Sequence, residues 1–197
     1  MLDRSQYFIR EHVGMFKLTD TYDILDPETQ VQIGRAREEV GGLVKFARLL
    51  INKQLMPTKI VVYEGQGAED TDYKELFSIR RGVALFRPKV DIMQVDGTKI
   101  GYLQTKAFSL GGAFRVFTDD GTQIAEVKGD WKGWNFRFLS EETELGVVTK
   151  KWAGLGKELF STADNYMISI NGEPGALINT LLLAAGLAID TVLKEGN

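Results

Sequence analysis

Basic side chains fall in short sets along this sequence. Arg35 and Arg37 flank Ala36, Arg80 and Arg81 precede Gly82, and Arg87-Pro88-Lys89 follows the apolar run 83–86. Guanidinium groups brought close together suit phosphate, because each presents parallel N–H donors to two oxygens. In a strand, Arg35 and Arg37 lie on one face. The candidates for a phosphate-bearing ligand are therefore Arg35, Arg37, Arg80, Arg81, Arg87 and Lys89. The bland alternative is a solvated surface, since 27 acids outnumber 24 Lys and Arg and leave a formal net charge of -3. That balance gives no bulk positive field and disfavours nucleic acid as a partner.

Catalytic chemistry finds few residues to work with. There is no cysteine, which excludes disulfides, thiolate metal sites, cysteine nucleophiles and palmitoylation. The one histidine, His12, has no Gly-x-Ser-x-Gly turn to serve and no second histidine to share a metal with. Gly154-Leu155-Gly156-Lys157 looks like a phosphate loop, but Lys151 and Glu158 stand where that loop needs Gly and Ser or Thr. Acid pairs such as Asp119-Asp120 and Glu141-Glu142 sit in turns. Trp131 and Trp134 are three apart, so one is expected buried and one exposed unless Gly133 makes a turn. The expectation is a protein that is not an enzyme and holds no cofactor.

The elements around these residues are mostly strands. Tyr7–Ile9, Gly14–Leu18, Tyr22–Leu25 and Val31–Gly34 are short apolar or alternating runs, with an Asp26-Pro27 turn making a hairpin. Residues 41–55 change to a helical period with one broad apolar face, and Pro57 ends it. Lys59–Tyr63 is a strand, and 65–72 a polar loop. From Leu76 to about residue 170 the pattern is β. Asp96-Gly97 and Asp120-Gly121 mark two tight hairpins, and Gln94–Ile100 aligns with Thr118–Ile124. Asn135–Leu139 and Glu144–Thr149 form a third hairpin of the same kind, and Asp26–Val31 reads as an earlier, diverged copy.

Ala176 to Lys194 is apolar on every side, interrupted only by Asn179, Thr180, Asp190 and Thr191. As a helix it is about 28 Å long, just enough to cross a bilayer. Small residues at Ala184, Ala185, Gly186 and Ala188 allow close approach of strands, and Asp190 is costly in hydrocarbon, so the segment reads as a buried core helix. About eight strands enclose side chains alone, so a barrel enclosing a helix needs about twelve.

A barrel closed on an apolar C-terminal helix resembles the tubby C-terminal-like fold. Motif-level likeness runs from Val147 to Leu193: Val148-Thr149-Lys150-Lys151-Trp152-Ala153-Gly154, then Glu158-Leu159-Phe160-Ser161-Thr162-Ala163-Asp164-Asn165-Tyr166, then the helix. This is similar to the end of the phospholipid scramblases, and the earlier Asp-Gly hairpins resemble the same family and the plant LURP-one-related proteins. The resemblance implies a barrel around the helix, binding of phospholipid or phosphoinositide headgroups, and a calcium site in an aspartate-rich stretch. Here that stretch keeps Asp164 and Asn165, with Glu173 further on, while Thr162 and Gly175 stand where acids are expected. Calcium takes six to eight oxygens, more than these three side chains supply.

The sequence is thus read as one domain over 1–197, mainly β, with a short helix near 41–55 and a central helix over about 176–194. No signal sequence opens it, so a cytoplasmic protein that meets membranes peripherally is expected. Its functional expectation is binding of anionic phospholipid headgroups. The alternative is an interaction or stress-related scaffold with a protein partner and no lipid role.

Overall fold

A computed structural model describes residues 1–12, 20–39, 57–67, 69–82, 89–106, 113–130, 134–150, 165–173 and 175–190. Twelve strands occupy them: β1 Gln6–Glu11, β2 Thr21–Leu25, β3 Gln32–Glu38, β4 Thr58–Gly65, β5 Tyr73–Arg81 and β6 Lys89–Gln94. They continue with β7 Lys99–Thr105, β8 Phe114–Thr118, β9 Gln123–Asp130, β10 Asn135–Ser140, β11 Thr143–Thr149 and β12 Tyr166–Ile170. Each strand pairs antiparallel with its neighbours in sequence, and β1 closes the barrel on β12 through Gln6↔Ser169 to Ile9↔Tyr166. One helix, α1, Ala176–Ala188, follows. The expected helix at 41–55 and the expected strand at Gly14–Leu18 lie outside the described residues.

Alternation decides which side chains enter the barrel. Ile24, Ala36, Val62, Phe77, Ile92, Leu103, Val116, Phe136 and Val148 point inward and form one cluster with Leu181 to Ile189. Every side chain from Leu181 to Ile189 in that cluster is fully buried, so the helix runs through the interior rather than along the outside. This explains a segment that is apolar all round. Gly186 makes the fit close: a Cβ there would lie 2.7 Å from Ile168 Cδ1. No described helix is long and apolar enough to cross a membrane. The outer faces of β6 to β10 carry Lys89, Asp91, Arg115, Glu126 and Arg137, the reverse of the apolar band of a membrane-spanning barrel.

The hairpin repeat seen in the letters is also a repeat of geometry. In both Asp-Gly turns the fourth residue's N–H meets the Asp carboxylate, at 2.8 Å from Thr98 to Asp96 and 3.0 Å from Thr122 to Asp120. Gly97 and Gly121 have φ of 86° and 89°, where a side chain is strained. Beyond its turn each of five hairpins has a β-bulge, between Ile24/Leu25, Val62/Tyr63, Ile92/Met93, Val116/Phe117 and Phe138/Leu139 on one strand. The extra residue on the partner strand is always aliphatic: Ile33, Leu76, Ile100, Ile124 and Leu145. These five pack on or within the core cluster, and in three copies the next residue is an inward glycine (Gly34, Gly101, Gly146). Bulges increase twist and bend, which a closing sheet requires.

Because the chain only meanders, its connections alternate between two rims. The short ones after β2, β4, β6, β8, β10 and β12 all lie at one end, called here the tight-turn rim. The connections after β1, β3, β5, β7, β9 and β11 leave from the other end, the open rim. The helix enters at the tight-turn rim behind Gly175 and ends at the open rim, where Asp190 lies near Tyr22. Burial first, then that carboxylate, push the Tyr22 phenol far above its ordinary value.

Candidate functional site

Arg35 and Arg37 share the outer face of β3, as alternation requires, but each already has partners. Arg35 Nε lies 3.7 Å from Asp23 Oδ1, and its guanidinium stacks 4.4 Å from the centre of the Tyr73 ring. Asp23, opposite Arg35 in the β2–β3 ladder, also takes Arg10 at 3.0 Å and Gln32 at 3.0 Å. His12 Nε2 comes to 2.6 Å from the same carboxylate, so the one histidine belongs to an ion-pair cluster. Arg37 lies 3.9 Å from Glu39 and 5.6 Å from the Tyr63 ring centre. Glu39 also accepts from Lys59 at 2.8 Å and from Tyr63 at 2.6 Å. Burial opposes ionisation of Glu39, but the bonds from Lys59 and Tyr63 win and hold its carboxyl below the ordinary value. The gap among Arg35, Arg37, Tyr63 and Tyr73 is about 20 Å³, room for about one water and not for a phosphate.

Arg80 and Arg81 part company. They are adjacent on β5, so one faces out and the other in. Arg81 is 5% exposed, inside the barrel end, and donates to Thr58 Oγ1 at 3.3 Å. Arg80 is exposed on the outer face, opposite Lys59 and Asp91. Lys89 is exposed at the start of β6, its ammonium 3.7 Å from the Tyr102 ring centre, a cation–π contact that leaves the charge facing solvent. Arg87 lies outside the described residues. Of the six candidates, the structure leaves Arg80 and Lys89 on one accessible face.

Those two belong to a larger set that spacing along the chain does not show. On the outer face toward the open rim, β7 to β10 add Lys106, Arg115, Lys128 and Arg137. Lys128 stands directly opposite Arg137. Among the described side chains, the carboxylates beside them are Asp91; Glu126, which takes Lys106 at 2.5 Å and Lys128 at 3.6 Å; and Glu144, 4.0 Å from Arg137. The Lys106 bond holds the Glu126 carboxyl below its ordinary 4.5. A carboxyl lowered by folding contributes stability above its unfolded value, and that contribution is lost as pH falls through the lowered one. Glu126→Gln is therefore expected to flatten the dependence of the urea midpoint on pH between roughly pH 5 and pH 3.

The sequence between the strands has the same bias. In sequence, the connections after β1, β3, β5, β7, β9 and β11 hold Lys17, Lys45, Arg48, Lys53, Arg87, Lys106, Lys132, Lys150, Lys151 and Lys157 against Asp20, Glu39, Glu158 and Asp164. At the tight-turn rim the turns carry Asp26, Glu28, Asp119, Asp120, Glu141 and Glu142. A chain of net charge -3 is thus divided along the barrel axis into an acidic end and a basic half.

Of the calcium candidates, Asn165 and Glu173 are not brought together. Asn165 precedes β12 at the open rim, is buried, and accepts the Glu11 N–H at 3.2 Å, tying β12 to β1. Glu173 follows β12 at the tight-turn rim, exposed. A five-residue strand, roughly 17 Å long, separates them. Asp164 lies outside the described residues. Among the described residues, no group of three or more His, Asp or Glu is arranged to hold a metal ion. Trp134 is buried, edge-on to Phe136 and under the Lys150 ammonium at 4.4 Å; Trp131 and Trp152 lie outside the described residues.

In comparison with known proteins, residues 15–195 match a family model whose description is Scramblase. No curated protein and no solved structure matches the chain.

Proposed function

The chain belongs to the scramblase family, and on that premise we propose that it is a non-enzymatic module that binds anionic phospholipid surfaces peripherally, through the basic half of its barrel. The observation that supports this is the division of charge along the axis. A bilayer bearing anionic lipid attracts basic side chains within a Debye length of its surface and repels carboxylates. The barrel approaches such a surface with its open rim, presenting Arg80, Lys89, Arg115, Lys128 and Arg137, while its acidic turns face away. Because the helix fills the interior, lipid is met on the outside and no acyl chain enters the barrel.

Co-sedimentation with phosphatidylcholine vesicles, against vesicles that also contain phosphatidylserine, tests this reading. Binding is expected to the anionic vesicles alone and to weaken with salt. Each basic residue near the surface is worth about 1 kcal/mol, so Arg80→Gln with Lys89→Gln is expected to lower the partition coefficient roughly thirtyfold. Arg35→Gln with Arg37→Gln is expected to change it by less than about threefold, because those charges already face Asp23 and Glu39. Equal binding to neutral and anionic vesicles, or indifference to salt, overturns the reading. Calcium is expected to change none of these results.

A further inference from the structure

Two adjoining cavities open at the tight-turn rim, of about 720 Å³ and about 290 Å³, and share Leu2 and Leu76 as lining. Together they make a groove past the first turns of α1. Its floor is apolar, with Leu2, Leu76, Ile100 and Ala176. Its walls carry Asp3, Glu64, Asp96 and Glu173. Two cations lie near and both are engaged: Arg4 pairs with Asp26, and the Met1 ammonium pairs with Glu64 and lies 3.4 Å from Asp3. Glu173 and Asp3 are exposed, and the acidic hairpin turns stand on the same rim.

Further features describe what belongs there. Val31, Val95 and Leu177 are 47%, 59% and 46% exposed, the exposed large apolar side chains among the described residues, and all three stand on this rim. Asn179 lines the groove, is 7% exposed, and donates to the Leu2 and Arg4 carbonyls, but its Oδ1 has no donor among the described residues. The helix starts behind Gly175 with no side-chain cap, so its first N–H groups lack side-chain acceptors. The positive end of a helix is equivalent to about half a charge and the Met1 ammonium adds one, which the four wall carboxylates together outweigh.

We propose that this groove docks a cationic amphipathic segment of a partner protein. Its Lys or Arg side chains meet Asp3, Asp96 and Glu173, and its apolar side chains rest on Leu2, Leu76 and Val95. A peptide answers the accessible chemistry: cations for the carboxylates, apolar side chains for the exposed leucine and valine, and carbonyls for the uncapped N–H groups. A simple ammonium lacks the carbonyls, and an anionic bilayer is repelled. The groove lies at the opposite end of the barrel from the basic half, so the two binding events are separable.

The test is fluorescence anisotropy with a labelled peptide of Lys and Leu, beside an oligolysine of equal charge and a Glu/Leu analogue. The Lys/Leu peptide is expected to bind, oligolysine at least about tenfold more weakly, and the Glu/Leu peptide not at all. Asp3→Lys with Glu173→Lys is expected to weaken the Lys/Leu peptide about tenfold or more, with a cooperative urea transition retained and the preference for anionic over neutral vesicles kept. Ala176→Trp, which fills the groove from an exposed position, is expected to weaken it similarly. Equal affinity for oligolysine, or affinity unmoved by these variants, overturns the proposal. Sedimentation that shows self-association abolished by Asp3→Lys with Glu173→Lys assigns the groove to the basic half of a second copy, and overturns it as well.

Discussion

Leu182→Asp is expected to abolish cooperative folding of the whole barrel. Leu182 is fully buried in a cluster that contains side chains from all twelve strands. The substitution removes a buried leucine, worth about 2–5 kcal/mol with its cavity, and leaves a carboxylate whose desolvation costs several more. The sum is comparable with the whole stability of a domain this size, about 5–15 kcal/mol. Urea unfolding followed by circular dichroism and tryptophan fluorescence should then show no two-state transition. Leu182→Ala, which leaves no charge, should keep the transition and lower stability by about 2–5 kcal/mol. Leu177→Asp on the same helix is the counterpart: that side chain is 46% exposed, and an acid near a helix N-terminus is favourable by about 0.3–1 kcal/mol. A cooperative transition retained in Leu182→Asp would mean that the helix is not enclosed.

Gly101→Val is the second substitution expected to cost most, and for a different reason. A Cβ at Gly101 would lie 2.4 Å from the Phe117 carbonyl oxygen and 2.6 Å from Leu181 Cδ2. The leucine can turn away, but the carbonyl belongs to a paired strand across the β7–β8 ladder and cannot move without opening it. Overpacking of this kind costs about 1–3 kcal/mol, and here the helix and the sheet are both displaced. A clear fall in the urea midpoint is expected, with Gly82→Ala as the contrast. Among the described residues nothing lies within 4 Å of a Cβ at Gly82, so that change is expected to stay within about 0.5 kcal/mol. The equivalent glycines after the bulges in β3 and β11, Gly34 and Gly146, meet backbone oxygens at 2.4 and 2.3 Å and should behave like Gly101.

Much of the architecture was legible in the letters because it rests on local rules. Asp-Gly turns, period-two runs and the aligned pair Gln94–Ile100 and Thr118–Ile124 locate the hairpins, since turn chemistry acts over four or five residues. The segment after Gly175 reads as a buried helix because it has no polar face to show to water. The bulged aliphatic residue was present in the same alignment, at Ile100 and Ile124, but its role depends on counting residues across two paired strands. The phosphate candidates show the limit more sharply. Arg35 and Arg37 were found by their own spacing, whereas Asp23 and Glu39 neutralise them through cross-strand register and loop geometry. Arg80 and Arg81 are one residue apart and end on opposite sides of the sheet. Asn165 and Glu173, close in sequence, end at opposite rims.

By itself, the sequence determined the strands, the turns, the central helix and the balance of charge. Tertiary structure alone decided where that charge lies. Acidic short turns and basic longer connections alternate along the chain, and in the letters they cancel to -3. Closing an antiparallel meander sends every second connection to the same end, which sorts one kind from the other and makes an acidic rim and a basic half. The groove at the acidic rim has the same origin. It exists only where barrel closure brings Leu2 and Asp3 beside the first turn of a helix about 170 residues further on, a contact between chain ends that local rules cannot anticipate.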